Sequence, residues 1–303
     1  MKTGETLIVC YHRVAEGVED PFRLCVSPGR FRAHLEELSR LAVLSTLDEI
    51  DERCSRPRAV VTFDDGYADN LWNALPVARA MGAPITVFVT SGQLDGADGF
   101  WWDRLAAILR RRAPDRHDAH LDVGVGGVHV GLGRRPAADR AAIRRRLLPL
   151  STSEIGRVLD QLAEDWGVPG SAPGDARPLT TAELAELAAA DVTSIGGHTT
   201  DHVRLRGRSL AEQLASIAGS RRRLEALVGR DVTHFAYPFG GDDEFDETSV
   251  EAVSMAGFRT ACTTLPGTAR PSTDPLRLPR RVVMNWTRDR FRAQLMRWSL
   301  QRA

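Results

Sequence analysis

Two short segments carry residues whose types and spacing could do chemistry. In VVTFDDGYADN (residues 60–70) a β-like run ends in two adjacent carboxylates, Asp64 and Asp65. Neighbours on an extended strand point to opposite faces, but at a frayed strand end both can turn toward one pocket. Two like charges held that close are costly unless a cation or a shared proton relieves them. Asp-Asp-Gly after a β-run is also ordinary turn chemistry, so the segment alone leaves turn and site open. The second segment, GGHTTDH (196–202), sets His198 and His202 four residues apart. On one helical turn such imidazoles share a face, and two nitrogens can then bind one ion. For H-x-x-x-H alone, two solvated histidines are as good a reading. Joined, the two histidines and one carboxylate make a His-His-Asp set, three protein ligands with open positions, as in a catalytic zinc site. One aspartate would bind the metal and so lose the like-charge cost. The other would be free as general base on a water. The predicted chemistry is hydrolysis of an amide or ester.

The elements around these segments must bring them together. LIVCYH (7–12), AVVTF (59–63) and PITVFVT (84–90) read as buried strands, and FRAHLEELSRLA (31–42) and DNLWNALPVARAMG (69–82) as helices. Strand, helix, strand at this spacing predicts βαβ units, hence parallel strands with right-handed crossovers. After residue 178 the rhythm returns: helix 180–190, strand 192–198, helix 210–229, strand and turn 234–241, helix 248–257, strand 258–264. Such repetition predicts a barrel or a doubly wound sheet. In a parallel barrel, chemistry sits where strands end, and His12, Asp64–Asp65, His198 and Tyr237–Phe239 all fall at such ends. The block 100–178 breaks the rhythm and reads as an insertion. It holds a helix at 101–112, a Gly-rich hairpin at 121–133, helical patterns over 137–167 split near Pro149, and a linker at 171–178.

Composition narrows the classes. The formal net charge is zero over 303 residues, which gives no footprint for nucleic acid. Cys10, Cys25, Cys54 and Cys262 form no C-x-x-C pair, so they read as small buried hydrophobes in a reducing compartment. The apolar run near the N-terminus is too short for a secretory core, and no stretch approaches the ~18 apolar residues of a membrane span. The expectation is a soluble cytoplasmic protein. The arginine runs at 110–112, 144–146 and 221–223 read as solvated helix faces, one of which could meet a phosphate.

At this point a resemblance becomes specific. TFDDGY and HTTDH resemble the first two motifs of the polysaccharide deacetylase family, also called carbohydrate esterase family 4 or the NodB-homology family. The resemblance implies an α/β fold, a distorted (β/α)7 barrel of NodB-homology type, here one domain over 1–303 with the mainly helical insertion 100–178. It implies Asp64 as catalytic base and Asp65, His198 and His202 as metal ligands. FAYPFG (235–240) resembles the third motif, Arg-x-Pro-Tyr, with Ala236 in place of the arginine and Phe239 in place of the tyrosine. That implies an oxyanion donor in the Phe239 backbone N–H, with Tyr237 and Pro238 beside the substrate. On its own the segment reads equally well as a strand and turn. Arg280 or Arg281 is the candidate replacement for the missing arginine, and Arg280 and Trp286 are also candidate substrate contacts. The family's late Leu-x-His acid is absent, since no histidine follows His234. The circularly permuted poly-N-acetylglucosamine deacetylases resemble a version with that histidine near the N-terminus. CYHRV fits it, so His12 is the expected general acid, against the plainer reading of a core histidine bonded to backbone. His234 begins its strand and should lie at the wrong end of the barrel.

The reading that follows is metal-dependent removal of an N-acetyl group from an amino sugar, polymeric, lipid- or nucleotide-linked, or on a small molecule. Zinc is the default ion for this donor set; cobalt, nickel and manganese suit the same geometry. O-deacetylation, deformylation or imide opening on the same fold is the nearer alternative, and a sugar-binding protein with a vestigial site the more distant one. Trp101 and Trp102 are packing residues or a sugar-stacking platform. His34 reads as surface or packing, and His117, His120 and His129 as a remote candidate for a second metal site. The insertion is expected to shape specificity or to form a homodimer interface.

Overall fold

LIVCY, AVVTF and ITVFV are rich in β-branched and aromatic residues, and in the computed structural model of the protein they lie in neighbouring parallel strands. The structure describes residues 3–16, 20–50, 52, 54–96, 98–113, 118–121, 128–131 and 136–300. Among them, β1 (Thr6–Tyr11), β2 (Val43–Ser45), β3 (Arg58–Phe63), β4 (Ile85–Val89), β5 (Thr193–Gly197), β6 (His234–Ala236), β7 (Thr260–Cys262) and β8 (Arg281–Val282) make one parallel sheet. The spatial order is β7-β6-β5-β4-β3-β1-β8, with β2 beside the start of β3. Cys10 stands opposite Thr62, and Val87 opposite Ile195. The row closes on the segment leading into β8. Leu278 bridges Cys262 of β7, and Val282 pairs with Cys10 of β1. The Leu278 N–H donates to the Ala261 carbonyl, and the Thr263 N–H to Leu278. Seven of the described strands thus form the ring of a distorted (β/α)7 barrel, and β2 stays outside it.

The period of two along each strand divides the apolar residues into two cores. Leu7, Val9, Tyr11, Val61, Phe63, Ile85, Val87 and Val89 face outward and pack under helices, including Pro28–Leu41, Leu75–Ala80, Thr181–Ala188, Leu210–Val228, Glu247–Met255 and Arg288–Leu300. Ile8, Val60, Phe88, Ala236, Cys262 and Leu278 make a second cluster, the inside of the ring. Phe88 fits there because β5 carries glycine opposite it: a Cβ on Gly196 would lie 2.3 Å from the Phe88 ring. The helices start where capping chemistry places them. Ser27 accepts from the Arg30 N–H ahead of Pro28, and Thr180–Glu183 and Ser209–Glu212 are capping boxes.

Residues Asp95–Pro178 form a second compact unit. It contains helices Trp101–Arg111, Pro136–Leu147 and Thr152–Trp166 and the antiparallel pair Asp118–Leu121 with Val128–Gly131. Trp101 and Trp102 are both buried, and Trp102 stacks on Phe100 with centroids 4.8 Å apart, which makes them packing residues. His117 and the side chains of His120 and His129 lie outside the described residues. No helix among the described residues is long and apolar enough to cross a membrane.

Candidate metal and proton-transfer site

His12, Asp64, Asp65, His198, His202 and Phe239 all lie in the unit made of residues 1–94 and 179–303, whereas His117, His120 and His129 belong to the other unit. Asp64 and Asp65 leave the end of β3. Asp65 turns back into the pocket through a left-handed backbone, φ 74°, a conformation that is costly outside glycine. That turn, and not fraying, is how adjacent residues come to face one site. Thr90 donates its N–H to the Asp65 carbonyl, and Tyr11 accepts from the Asp64 N–H, so both neighbouring strands hold the turn.

The histidines arrive by a different route from the one their spacing suggests. Residues 198–202 are not helical. Thr199 and His202 both have positive φ, 63° and 52°, and the Thr199 hydroxyl accepts from the His202 N–H at 3.0 Å. This loop is tied to the exit of β4, where Ser91 and Gly92 donate to the carbonyls of Thr199 and Thr200. The second approach is so close that a Cβ on Gly92 would sit 2.3 Å from the Thr200 oxygen.

The result is a convergent donor set. Asp65 Oδ1 lies 3.4 Å from His198 Nε2 and 3.1 Å from His202 Nε2. Ligands at the usual ~2.0–2.2 Å from one ion, at tetrahedral to right angles, stand about 3.0–3.4 Å apart, so both Asp65–histidine separations suit a shared divalent metal. His198 Nδ1 donates to the Ala236 carbonyl at 2.7 Å, which fixes the tautomer and turns the Nε2 lone pair toward Asp65. The Phe239 ring meets His202 edge-on at 4.7 Å. Burial pushes the Asp65 carboxyl up, but the bonds to His198 and His202 outweigh it and hold the group far below the ordinary carboxylate range. Burial holds His202 below its usual value, the neutral form a metal needs.

Asp64 belongs to another network. Arg280 grips it with two parallel bonds of 2.6 Å, Nη1 to Oδ1 and Nη2 to Oδ2. The guanidinium is fully buried; it also donates to Thr263 O and Thr62 Oγ1 and lies over the Phe88 ring. Burial raises the Asp64 carboxyl, yet Arg280, then His198 and His12, bring it below the ordinary range, so it is held as a carboxylate in a fixed plane. Arg280, the residue before β8, therefore meets Asp64 inside the barrel, a contact that Ala236 cannot make. It is not exposed to touch a substrate, which corrects that expectation and chooses Arg280 over Arg281 as the replacement.

His12 ends β1, half-buried, with a ring nitrogen within 4.8 Å of both an Asp64 oxygen and Cys10 Sγ. Its backbone is held by a turn of π-helix, Asn70–Ala74, that follows the aspartates. Asn70 Nδ2 donates to the His12 carbonyl at 2.8 Å, Asp69 accepts from Arg13 Nε and the Val14 N–H, and Asn73 donates to the Val14 carbonyl. The sequence reading passed over these three residues. Their signal was visible: three short polar side chains on the first turn after a strand end.

Other expected contacts fall elsewhere. Tyr237 is buried, stacked on Phe245 at 4.3 Å with its hydroxyl bonded to the Leu276 carbonyl, so it builds the loop and does not face a ligand. Pro238 is buried as well. Phe239 is half-buried at φ 61°, its carbonyl accepting from Thr264 Oγ1. Trp286 packs against Phe291 and Trp298, and its carbonyl accepts from His34 Nε2, which removes it from any groove. His34 is fully buried, and burial pulls it down to about 4. His234 sits at the start of β6, bonded to Thr260 Oγ1, at the opposite end of the strand from the site.

The polysaccharide deacetylase family model matches residues 51–120 and 158–261. YxkH of Bacillus subtilis strain 168, named for that same family, is 21% identical over 275 residues, covering 88% of this chain and 67% of its own. Among solved structures, IcaB from Ammonifex degensii superposes with a TM-score of 0.64 at 18% identity, covering 99% of both chains. The Streptococcus pyogenes deacetylase PplD, in complex with acetate, superposes with a TM-score of 0.62 at 17% identity, covering 98% of this chain and 99% of its own. The matched barrel strands, the two aspartates and the two histidines make this chain a member of the polysaccharide deacetylase family.

Proposed function

We propose that this protein is a metal-dependent hydrolase that removes an N-acetyl group from an amino sugar and releases acetate. The observation that carries the reading is the convergence of Asp65, His198 and His202 beside a second carboxylate, Asp64, that Arg280 keeps ionised. Asp65 Oδ1 and the two Nε2 atoms hold the ion, with zinc the first candidate and cobalt, nickel or manganese suited to the same donors. When bound, such an ion supplies a Lewis acid that polarises the acetyl carbonyl and acidifies water.

The chain's own residues do the rest. Asp64 takes the proton of the attacking water, and Arg280 keeps the carboxylate plane fixed while it does so. The Phe239 backbone N–H donates to the oxyanion as the carbonyl carbon becomes tetrahedral. His12 gives its proton to the leaving nitrogen. That step favours the amide over the ester, because an unprotonated amine is the poorer leaving group. PplD, of the same fold, was solved with acetate, the product this reaction would leave.

The test is metal content and acetate release on the same samples, for wild type and His198→Ala, with N-acetylated and O-acetylated sugars side by side. One ion per chain, acetate from the N-acetyl sugars, and loss of both in the variant are expected. A wild type that stays metal-free after reconstitution would refute the hydrolase reading, and acetate from O-acetyl sugars alone would refute the N-specificity.

A further inference from the structure

Beside the proposed catalytic ion lies a second group of metal-binding side chains: Cys10, His12 and Asp64. Cys10 is fully buried and Asp64 nearly so, while His12 is half-buried. The Cys10 thiol donates to Asp64 Oδ2 at 3.4 Å. An ion about 2.3 Å from sulfur and about 2.0 Å from oxygen, at the tetrahedral angle, would hold those two atoms roughly 3.5 Å apart. The thiol and carboxylate are therefore already at a zinc-like separation. The His12 ring nitrogen lies within 4.8 Å of both, so at most about 1.4 Å of movement brings it to ligand spacing, which a half-buried side chain beside a strand end can make. Asp64 Oδ2 accepts from Arg280, and a carboxylate oxygen has a second lone pair to give.

We infer that Cys10, His12 and Asp64 form a second, inhibitory site for a soft divalent cation such as zinc. Binding replaces the thiol proton, which leaves to solvent, by a metal–sulfur bond; Cys10 and Asp64 then supply two negative charges to the ion. Arg280 repels a cation from one side, so this site is weaker than the Asp65–His198–His202 set and fills only when the metal is in excess. An ion here ties up both the base and the acid. The inhibition rests on the roles proposed above for Asp64 and His12, whereas the binding does not.

Cobalt separates the two sites, because a thiolate ligand gives a sulfur-to-metal charge-transfer band and the Asp65–His198–His202 set contains no sulfur. Wild type titrated with cobalt should take up one ion without the band, then a second with it. Cys10→Ser, a near-isostere whose folding is checked by its thermal melt, should take up one ion and show no band. His198→Ala should lose the first ion and keep the band, and Cys54→Ala, which alters the half-exposed thiol, should behave as wild type. Excess zinc should lower acetate release at least tenfold in wild type and leave Cys10→Ser at its own one-ion rate. No band in wild type at any cobalt excess, or a band that survives in Cys10→Ser, overturns the site. A band that behaves as expected without zinc inhibition keeps the site and overturns its inhibitory role.

Discussion

The two halves of the site are built in opposite ways. The Asp65–His198–His202 half comes from short loops after β3 and β5, clamped by backbone bonds from the exit of β4. The half around Asp64 draws on distant parts of the chain: Cys10 within β1 and His12 just after it, Asn70 from the π-helical turn that follows the aspartates, and Arg280 from the residue just before β8. The family match covers 51–120 and 158–261, so it contains the first half and leaves out Cys10, His12 and Arg280. The proposed metal set is thus local to two motifs, whereas the proposed proton-transfer set depends on the closure of the barrel.

Neighbouring aspartates give the largest contrast. Asp65→Asn should lose the metal and all measurable acetate release, because one neutral amide oxygen replaces the carboxylate that both histidines face. Asp64→Asn should keep one ion per chain and lose about 10²–10⁴ in rate, the usual weight of a positioned proton acceptor. Metal analysis beside turnover decides it, and metal loss in Asp64→Asn would break the division between the halves.

Arg280→Lys comes next. A lysine keeps the charge but cannot make the two-pronged grip. The ion should remain, and turnover should fall roughly 10–100-fold, as for other orienting partners in metal sites. Arg280→Met should also lower stability, by about 3–5 kcal/mol, since it leaves Asp64 buried without its partner. A Met variant that melts like wild type would show that the pair adds nothing to the barrel.

The same division explains what could be read in advance. The strands were legible because β-branched runs ended at Gly, Asp or His, and the convergence of Asp65, His198 and His202 because FDDG and H-x-x-x-H are each contiguous. The helical turn assumed for His198 and His202 was wrong, since sequence spacing cannot reveal that Thr199 and His202 take positive φ in a loop held by the Thr199 hydroxyl and by the Ser91 and Gly92 N–H groups that donate to its carbonyls. The partner of Asp64 was open between two adjacent arginines. Arg280 stands just before β8 and Arg281 begins it, and only closure against β7 and β1 turns Arg280 inward. Tyr237 and Trp286 looked like sugar contacts because aromatics suit both stacking and packing. Their burial against Phe245 and Phe291 was a property of the tertiary fold.

The smallest effect should come from Asn70→Ala, which touches neither the ion nor Asp64. Asn70 is fully buried and donates to the His12 carbonyl at 2.8 Å. Its loss leaves that carbonyl without the bond, at a cost of about 1–3 kcal/mol. The strand end that carries His12 is still tied by Asp69 to the Val14 N–H, so the fold should survive. A merely structural role would lower the melting temperature and leave the kinetics of the folded fraction alone. A positioning role should lower kcat about tenfold with KM unchanged, because the role proposed for His12 concerns the departing nitrogen and not the bound sugar. It should also shrink the penalty of a further His12→Gln change, since two substitutions that disable one proton donor do not add. Metal content is the control. Loss of the ion in Asn70→Ala would mean that the β1 end supports both halves of the site, and the two would then have to be treated as one network.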